Sequence, residues 1–212
     1  MNARGTLRRS IVVAALAALC GALAAGECAA QASSRPAVAL GGDALLARLR
    51  EGGVTLYFRH TATDFRQNDE RFVDGDCTTQ RNLTDAGRAD ARMIGAEIRR
   101  LAIPVGEVLA SPYCRTTETA MLMFGRAAPA PEARGGPAVA DADRYAGLRK
   151  LLATPPAPRT VRVVASHGNP FYAVAGPPYL AEGEAAVVAP AADGGFTVIA
   201  KITKEGWRAL GP

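Results

Sequence analysis

The sequence predicts an α/β fold in which a mostly parallel sheet carries helices on both of its faces. Short runs of β-branched and aromatic residues alternate with longer segments of helical periodicity along most of the 212 residues. Polar side chains, including both histidines, follow directly where predicted strands end. Alternation of this kind is typical of βαβ units, which build parallel sheets.

The first half of the domain contains three predicted elements and one long polar loop. Residues 43–51 favour a short helix with its leucines on one side, and 54–58 favour a buried strand. Residues 61–82 are rich in charge and poor in apolar side chains, which predicts a loop. Residues 84–101 form the clearest predicted helix, because apolar residues recur there at helical spacing and Pro104 follows.

The second half predicts four further strands and three helices. Its predicted helices are 111–125, 142–152 and 170–175, and residues 126–140 predict a loop because they are rich in Ala, Pro and Gly. The last two strands flank an Ala-Asp-Gly-Gly turn. The predicted strands are 107–110, 160–165, 185–189 and 195–202.

Residues 1–32 predict a secretory signal peptide. Arginines precede an uncharged stretch over 11–26, and Ala30-Gln31-Ala32 fits a cleavage site. The alternative, a membrane anchor, needs about 20 apolar residues, and this stretch is shorter. We therefore expect one domain over residues 33–212, periplasmic or secreted, without stable membrane insertion after cleavage.

Composition argues against some classes of partner. The net charge is +5, but no basic run, aromatic–basic alternation or zinc-finger spacing occurs, so we expect no nucleic-acid partner. Cys77 and Cys114 remain after cleavage of the leader. In an oxidising compartment they either form a disulfide or persist as buried thiols. The absence of a C-x-x-C spacing gives no sign of a metal site.

The two histidines of the chain each directly follow a strand-forming run. His60 ends the run 54–59, and His167 ends the run 160–166. Ligands of α/β proteins bind at the carboxyl ends of parallel strands. We therefore expect both histidines to face a binding crevice.

Two arginines are predicted to join them there. Arg59 precedes His60, and Ser111-Pro112 predicts a helix start that places Arg115 in the first turn. Asn169-Pro170 predicts a second helix start beyond His167. If the strands are parallel neighbours, arginines, imidazoles and helix N-termini converge on a site for a tetrahedral oxyanion such as phosphate.

These residue types predict phosphoryl transfer through a covalent intermediate. A neutral imidazole is a good nucleophile, and attack by His60 on phosphorus would give a phosphohistidine. Arginines bind the non-bridging oxygens as bidentate donors. The site would need no metal and no cofactor, because charge stabilisation already in place supplies the main catalytic effect.

Four segments resemble the histidine phosphatase superfamily, which also contains the cofactor-dependent phosphoglycerate mutases. They resemble, in order, its Arg-His-Gly-type signature, its Leu-(Ser/Thr)-x-x-Gly helix start, its Ser-x-x-x-Arg segment and its second histidine motif. The segments are Phe58-Arg59-His60-Thr61, Leu83-Thr84 with Gly87, Ser111-Pro112-Tyr113-Cys114-Arg115-Thr116-Thr117-Glu118-Thr119-Ala120, and Ser166-His167-Gly168-Asn169.

The resemblance covers most of residues 54–202 and is greatest to the small exported bacterial members. It implies a three-layer αβα sandwich, phosphoglycerate mutase-like, and a metal-independent phosphoric monoester hydrolase. It implies that His60 takes up the phosphoryl group and that Arg59, Arg115 and His167 complete the phosphate pocket. The partner would be a small anionic phosphorylated substrate, and an envelope setting suggests a sugar phosphate.

The sequence departs from the family pattern at two places. Thr61 stands where mutase-like members have Gly, which argues against a phosphomutase. No carboxylate stands out as the general acid: we favour Glu184, then Asp141. A phosphomutase and a non-catalytic phosphate- or phosphosugar-binding protein of the same fold remain the alternatives. The other carboxylates weighed for the acid are Glu118, Glu132, Asp143 and Glu182.

Several charged and aromatic residues are expected to have structural roles. In the polar loop, Arg66, Arg71 and Arg81 are expected to be solvated. Glu118 is expected to pair with Arg115, one helical turn away. For Tyr113 and Tyr172, packing at the core or rim is the default expectation.

Overall fold

A computed structural model describes residues 40–135 and 144–211, and its centre is a six-stranded sheet. The strand order is β3-β2-β4-β1-β5-β6. The pairs from β3 to β1 are parallel, and β5 runs antiparallel to both of its neighbours. The strands are β1 (Val54–Arg59), β2 (Val105–Ala110), β3 (Ala128–Pro129), β4 (Val161–Ser166), β5 (Ala185–Pro190) and β6 (Phe196–Ile202).

Helices cover both faces of this sheet. Along β1, Phe58 packs into one apolar cluster with α1, α2, α3 and α6, whereas Tyr57 packs into a second cluster with α4 and α5. Adjacent residues of a strand face opposite sides, so the two clusters define three layers. The predicted αβα architecture is confirmed. The helices are α1 (Gly42–Glu51), α2 (Asp85–Arg100), α3 (Cys114–Phe124), α4 (Ala146–Ala153), α5 (Gly168–Ala175) and α6 (Gly206–Ala209).

The start of α2 holds the chain that leaves β1. Thr84 is the N-cap residue, and its Oγ1 accepts from Gly87 N at 3.0 Å. The backbone N–H of Thr84 donates to Ala62 O at 3.0 Å. A side chain at Gly87 would overlap Ala62, so the close approach requires glycine. The Leu-Thr-x-x-Gly segment thus supports the residues that follow His60.

The two helices that enter the site begin at residues other than those predicted. Helix α3 begins at Cys114 rather than Ser111, because Ser111 O accepts from Thr116 Oγ1 at 2.7 Å across a bend that precedes the helix. Helix α5 begins at Gly168 with His167, not Asn169, at its N-cap. Both shifts leave the predicted site residues at the helix entries.

The predicted loop over 126–140 contains a short strand and a 3-10 turn that its composition does not predict. β3 is a two-residue edge strand on β2, and a 3-10 turn follows over Pro131–Ala133. So short a strand carries no periodicity of its own and exists because a distant strand pairs with it. The short helix α6 was not predicted either; it buries Trp207 against Phe58, with ring centroids 5.9 Å apart.

Residues 1–39, with the predicted signal peptide, lie outside the described residues, as do 136–143 with Asp141 and Asp143. Within the described part of the chain, no helix is both long and apolar enough to cross a bilayer.

Candidate active site

The structure brings four predicted site residues, Arg59, His60, Arg115 and His167, to one cavity of about 730 Å³. β4 lies between β1 and β2, so the carboxyl ends of these three parallel strands meet at one edge of the sheet. The imidazole centroids of His60 and His167 are 5.5 Å apart, and both residues are buried.

The protonation state of His60 is determined by its surroundings. Its Nδ1 lies 2.9 Å from Thr61 O, a carbonyl that can only accept, so Nδ1 carries the proton and Nε2 keeps its lone pair. Burial, together with the positive charges of Arg115 and Arg59, lowers the pKa of His60 to about 3, against the opposing effect of the Thr61 hydrogen bond. His60 is therefore neutral and nucleophilic over the whole physiological range of pH.

His167 is held by the strand ends on both sides. Its Nε2 lies 3.0 Å from Ser111 Oγ, and its carbonyl accepts from the Tyr57 hydroxyl at 2.8 Å. Burial and the charge of Arg115 lower its pKa well below the ordinary value. A side chain at Gly135 would collide with the His167 ring, so the turn after β3 also packs on this imidazole.

A buried hydroxyl network ties the same turn to the sheet. Tyr57 Oη lies 2.7 Å from Ser166 Oγ, and Ser166 Oγ donates to Ala133 O at 2.5 Å. Burial raises the pKa of Tyr57, so its hydroxyl keeps its proton. The network couples β1, β4 and the 131–133 turn beneath the cavity.

Arg115 is a buried cation that is only partly paired. Its Nη1 donates to Asp69 Oδ1 at 3.0 Å and to Arg81 O at 3.2 Å, while its buried Nε has no partner. Its guanidinium lies 4.4 Å from the ring centroid of Tyr113. A buried guanidinium N–H without an acceptor is costly, because it has lost its hydrogen bonds to water.

Arg59 lines the cavity and is held from behind by the Leu180 carbonyl and by Glu182, which is not among the lining residues. Arg59 Nη1 donates to Leu180 O at 2.9 Å, and its Nη2 lies 3.4 Å from Glu182 Oε1. Glu182 accepts from Thr63 Oγ1 at 2.7 Å and lies 3.9 Å from His60 Nδ1. Since His60 is neutral, that last contact is not an ion pair. Glu182 thus orients Arg59 and the loop after β1.

Arg81 was predicted to be solvated, and that prediction is wrong. It lines the cavity, its buried Nε has no partner, and its charge lowers the pKa of both histidines. Its backbone N–H donates to Asp69 Oδ1 at 2.9 Å, the atom that also binds Arg115. Asp69 lies 46 residues from Arg115 along the chain, so no local pattern could have revealed this group.

The carboxylates weighed as general acid are scattered. Glu184, the favoured residue, accepts from Ala181 N at 2.7 Å, and its side chain is not brought into the cavity. Glu118 pairs with Arg88 at 2.7 Å rather than with Arg115 as expected. Among the described acids, Glu132 and Asp69 line the cavity. Burial raises the pKa of Asp69, but its hydrogen bonds to Arg115 and Arg81 outweigh burial, so its pKa is lowered and it stays ionised.

The two cysteines within the described residues form a disulfide between the polar loop and α3. Cys77 is bonded to Cys114, with their Cα atoms 5.6 Å apart. Beside it, Gln80 Oε1 accepts from Cys114 N at 2.9 Å. The loop that carries Asp69 and Arg81 is thereby attached one residue before Arg115.

Two solved structures are similar in fold. One is the protein histidine phosphatase SixA complexed with tungstate, at 18% identity and a TM-score of 0.51, covering 71% of this chain and 97% of that chain. The other is a phosphoserine phosphatase mutant from Entamoeba histolytica in complex with phosphoserine, at 13% identity and a TM-score of 0.50, covering 72% and 98%. No protein-family model and no curated protein matches the sequence. At these identities the likeness is one of fold, and it agrees with the fold class that the motifs imply.

Proposed function

We propose that this chain, which has the histidine phosphatase fold, is an exported phosphatase that hydrolyses a phosphomonoester through a phosphohistidine on His60. The observation that carries the proposal is a neutral His60 whose Nε2 is unprotonated, beside arginines whose buried Nε atoms lack acceptors. A nucleophile and guanidiniums that can donate to an oxyanion thus line one cavity.

The substrate phosphoryl group would lie between the imidazole of His60 and the guanidiniums of Arg59, Arg81 and Arg115. Arginines present planar N–H pairs that fit two oxygens of a phosphate. Nε2 of His60 forms a bond to phosphorus while the bond to the ester oxygen breaks and its electron pair leaves with that oxygen. Charge on the transferring group is neutralised by side chains, so the proposed route requires no metal.

The departing oxygen needs a proton, and we propose Glu132 as its donor in place of Glu184. Glu132 lies in the turn after β3 and lines the cavity, whereas Asp69 is held ionised by Arg115. In the second step, water attacks phosphorus, the N–P bond breaks and its electrons return to His60. The acid, now a carboxylate, can take a proton from that water.

The neighbours in fold support an oxyanion site of this kind. The SixA structure holds tungstate and the phosphoserine phosphatase holds phosphoserine. Tungstate is a tetrahedral oxyanion like phosphate. The leader pattern of residues 1–32 supports export, and an envelope location suggests a sugar phosphate as the substrate.

The test uses the purified mature domain with an aryl phosphate, in the wild type and in His60→Ala. We expect His60→Ala to lower kcat by at least about a thousandfold, because the covalent route is lost. Rapid acid quench would miss an acid-labile N–P bond, so the phosphoenzyme is trapped at alkaline pH. A chelator should leave the wild-type rate unchanged.

Arg92→Ala, on the exposed side of α2, serves as the control and should keep wild-type activity. If wild type turns over no faster than His60→Ala at any pH from mildly acidic to mildly basic, the protein is no phosphatase. Retention of phosphate binding in that case would favour a non-catalytic phosphate-binding protein.

A further inference from the structure

Arg134 places another cation in the cavity, beyond the phosphate pocket. Its guanidinium lies 4.6 Å from the ring centroid of Phe72 and 5.4 Å from that of Tyr113. The same Tyr113 ring carries Arg115 at 4.4 Å and meets the His167 ring at 4.8 Å. Arg134 therefore contacts the same Tyr113 ring as Arg115 and His167 of the proposed phosphate pocket.

The stacking leaves the donors of Arg134 available to a ligand. The cation–π contacts with Phe72 and Tyr113 do not engage the N–H donors of Arg134 in hydrogen bonds to oxygen. Its ion pair with Asp74 is long, at 3.9 Å, and the Asp74 side chain is 66% exposed. An exposed pair of that length contributes little to stability, so it would yield readily to a better-placed anion.

The charges of the cavity wall favour a substrate with more than one anionic group. Five arginines line the described wall against two carboxylates, Asp69 and Glu132, and both histidines are neutral. A phosphomonoester brings about −1.5 to −2 charges at neutral pH. Arg115 pairs with Asp69 at 3.0 Å and Arg59 lies 3.4 Å from Glu182, whereas the contact of Arg134 with a described carboxylate, Asp74, is 3.9 Å long. The arginines are Arg59, Arg81, Arg115, Arg134 and Arg144.

We propose that the substrate carries a second anionic group, a carboxylate or a further phosphate, and that Arg134 binds it. This inference rests on the proposed function, because it takes the reacting phosphoryl group to lie beside His60. The rings of Phe72 and Tyr113 fix the position of the guanidinium. Arg134 therefore selects substrates by the distance between their two anionic groups.

The test measures binding to His60→Ala protein, in which turnover is blocked, by titration calorimetry. One ligand pair is 4-carboxyphenyl phosphate and its uncharged match, 4-carbamoylphenyl phosphate. A second pair, in which the two anionic groups are a different distance apart, is a hexose bisphosphate and the corresponding monophosphate. In at least one pair we expect the member with two anionic groups to bind about tenfold more tightly. A tenfold difference in affinity corresponds to the free energy of one hydrogen bond to a charged group.

Adding Arg134→Gln should bring that ratio to about one, whereas adding Arg92→Gln on the surface of α2 should leave it unchanged. Arg134→Lys, which keeps the charge without the planar fork, should retain part of the preference. Equal affinities within both pairs, or a preference that survives Arg134→Gln, would show the inference to be wrong.

Kinetics on the same substrates separate this inference from the proposed function. Hydrolysis by wild type without any preference between pair members would overturn the role of Arg134 alone. An Arg134-dependent preference in binding, in a protein that hydrolyses none of the substrates, would overturn the phosphatase proposal alone.

Discussion

At the residue scale, His60 illustrates how packing changes the chemistry of a side chain. An unperturbed imidazole is partly protonated near neutrality, with an ordinary pKa of 6.5. Burial and the nearby arginines lower that pKa to about 3, and the Thr61 carbonyl selects the tautomer. The nucleophilic state of His60 thus depends on its sequence neighbours Arg59 and Thr61 and on Arg115, which only the fold brings close.

The general acid can be identified by its effect on the leaving group. Glu132→Gln should lower kcat/KM by about 10²–10⁴-fold for alkyl phosphates, whose leaving groups need a proton. The loss should be much smaller for a nitrophenyl phosphate. Glu184→Gln is the matched control, because its carboxylate accepts from Ala181 N outside the cavity. The measurement is the dependence of log(kcat/KM) on leaving-group pKa.

If Glu184→Gln instead shows the steeper dependence, the assignment to Glu132 is wrong and Glu184, the residue that the sequence favours, is the general acid. Should neither variant change the slope, the proton comes from another source, and Asp141→Asn and Asp143→Asn become the decisive variants.

At the element scale, the loop between β1 and α2 is the part of the site that the sequence describes least well. Its charge pattern predicts solvated residues, yet Asp69 and Arg81 reach the cavity wall. They do so because Gln80 and the Cys77–Cys114 disulfide attach the loop to the start of α3. A covalent link between distant segments outweighs the preference of charged side chains for water.

Removing the disulfide should weaken phosphate binding and stability together. For Cys77→Ser with Cys114→Ser, we expect KM for an aryl phosphate to rise several-fold, since Arg81 and Arg115 lose their support. The sequence separation is 37 residues, and closing such a loop contributes about 3–4 kcal/mol to the free energy of unfolding. Urea unfolding and steady-state kinetics measure the two effects.

Wild-type protein treated with a reductant should behave like the double variant, and the double variant itself should not respond to reductant. An unchanged KM in both would mean that the loop is held by its hydrogen bonds alone.

At the scale of the whole molecule, the buried histidines make stability depend on pH. The folded pKa of His60 is about 3 and its ordinary value is 6.5, so between these values the unfolded chain binds a proton that the folded chain does not. The free energy of unfolding therefore decreases as pH falls from about 6.5 toward 3. His167, whose folded pKa is also lowered, adds to this in the same direction.

In that pH window, each such histidine adds up to about 1.4 kcal/mol per pH unit to the slope of the free energy of unfolding against pH. Urea unfolding between pH 7 and about pH 5 should show that stability is lost on acidification. His167→Gln should reduce the slope of the free energy of unfolding against pH by the contribution of about one proton, up to about 1.4 kcal/mol per pH unit. A slope that is equal in wild type and His167→Gln would contradict neutral burial of this imidazole.

The sequence by itself determined the order of the helices and strands other than β3 and α6, and the residues at the carboxyl ends of β1, β2 and β4. Helical and strand periodicities are local, and the rule that α/β sites lie at this edge needs only the strand ends. Arg59, His60, Arg115 and His167 were therefore predictable as one cluster.

Only the tertiary structure decided which other residues complete the cavity. Asp69, Arg81, Glu132 and Arg134 come from loops with no periodicity, and their positions depend on pairing with β2, on the disulfide and on aromatic stacking. These contacts join segments far apart in the chain, and their energies depend on the folded backbone rather than on neighbouring residue types. For that reason the motifs predicted where the phosphoryl group binds, whereas the fold placed the proposed proton donor Glu132 and the proposed second anion site at Arg134.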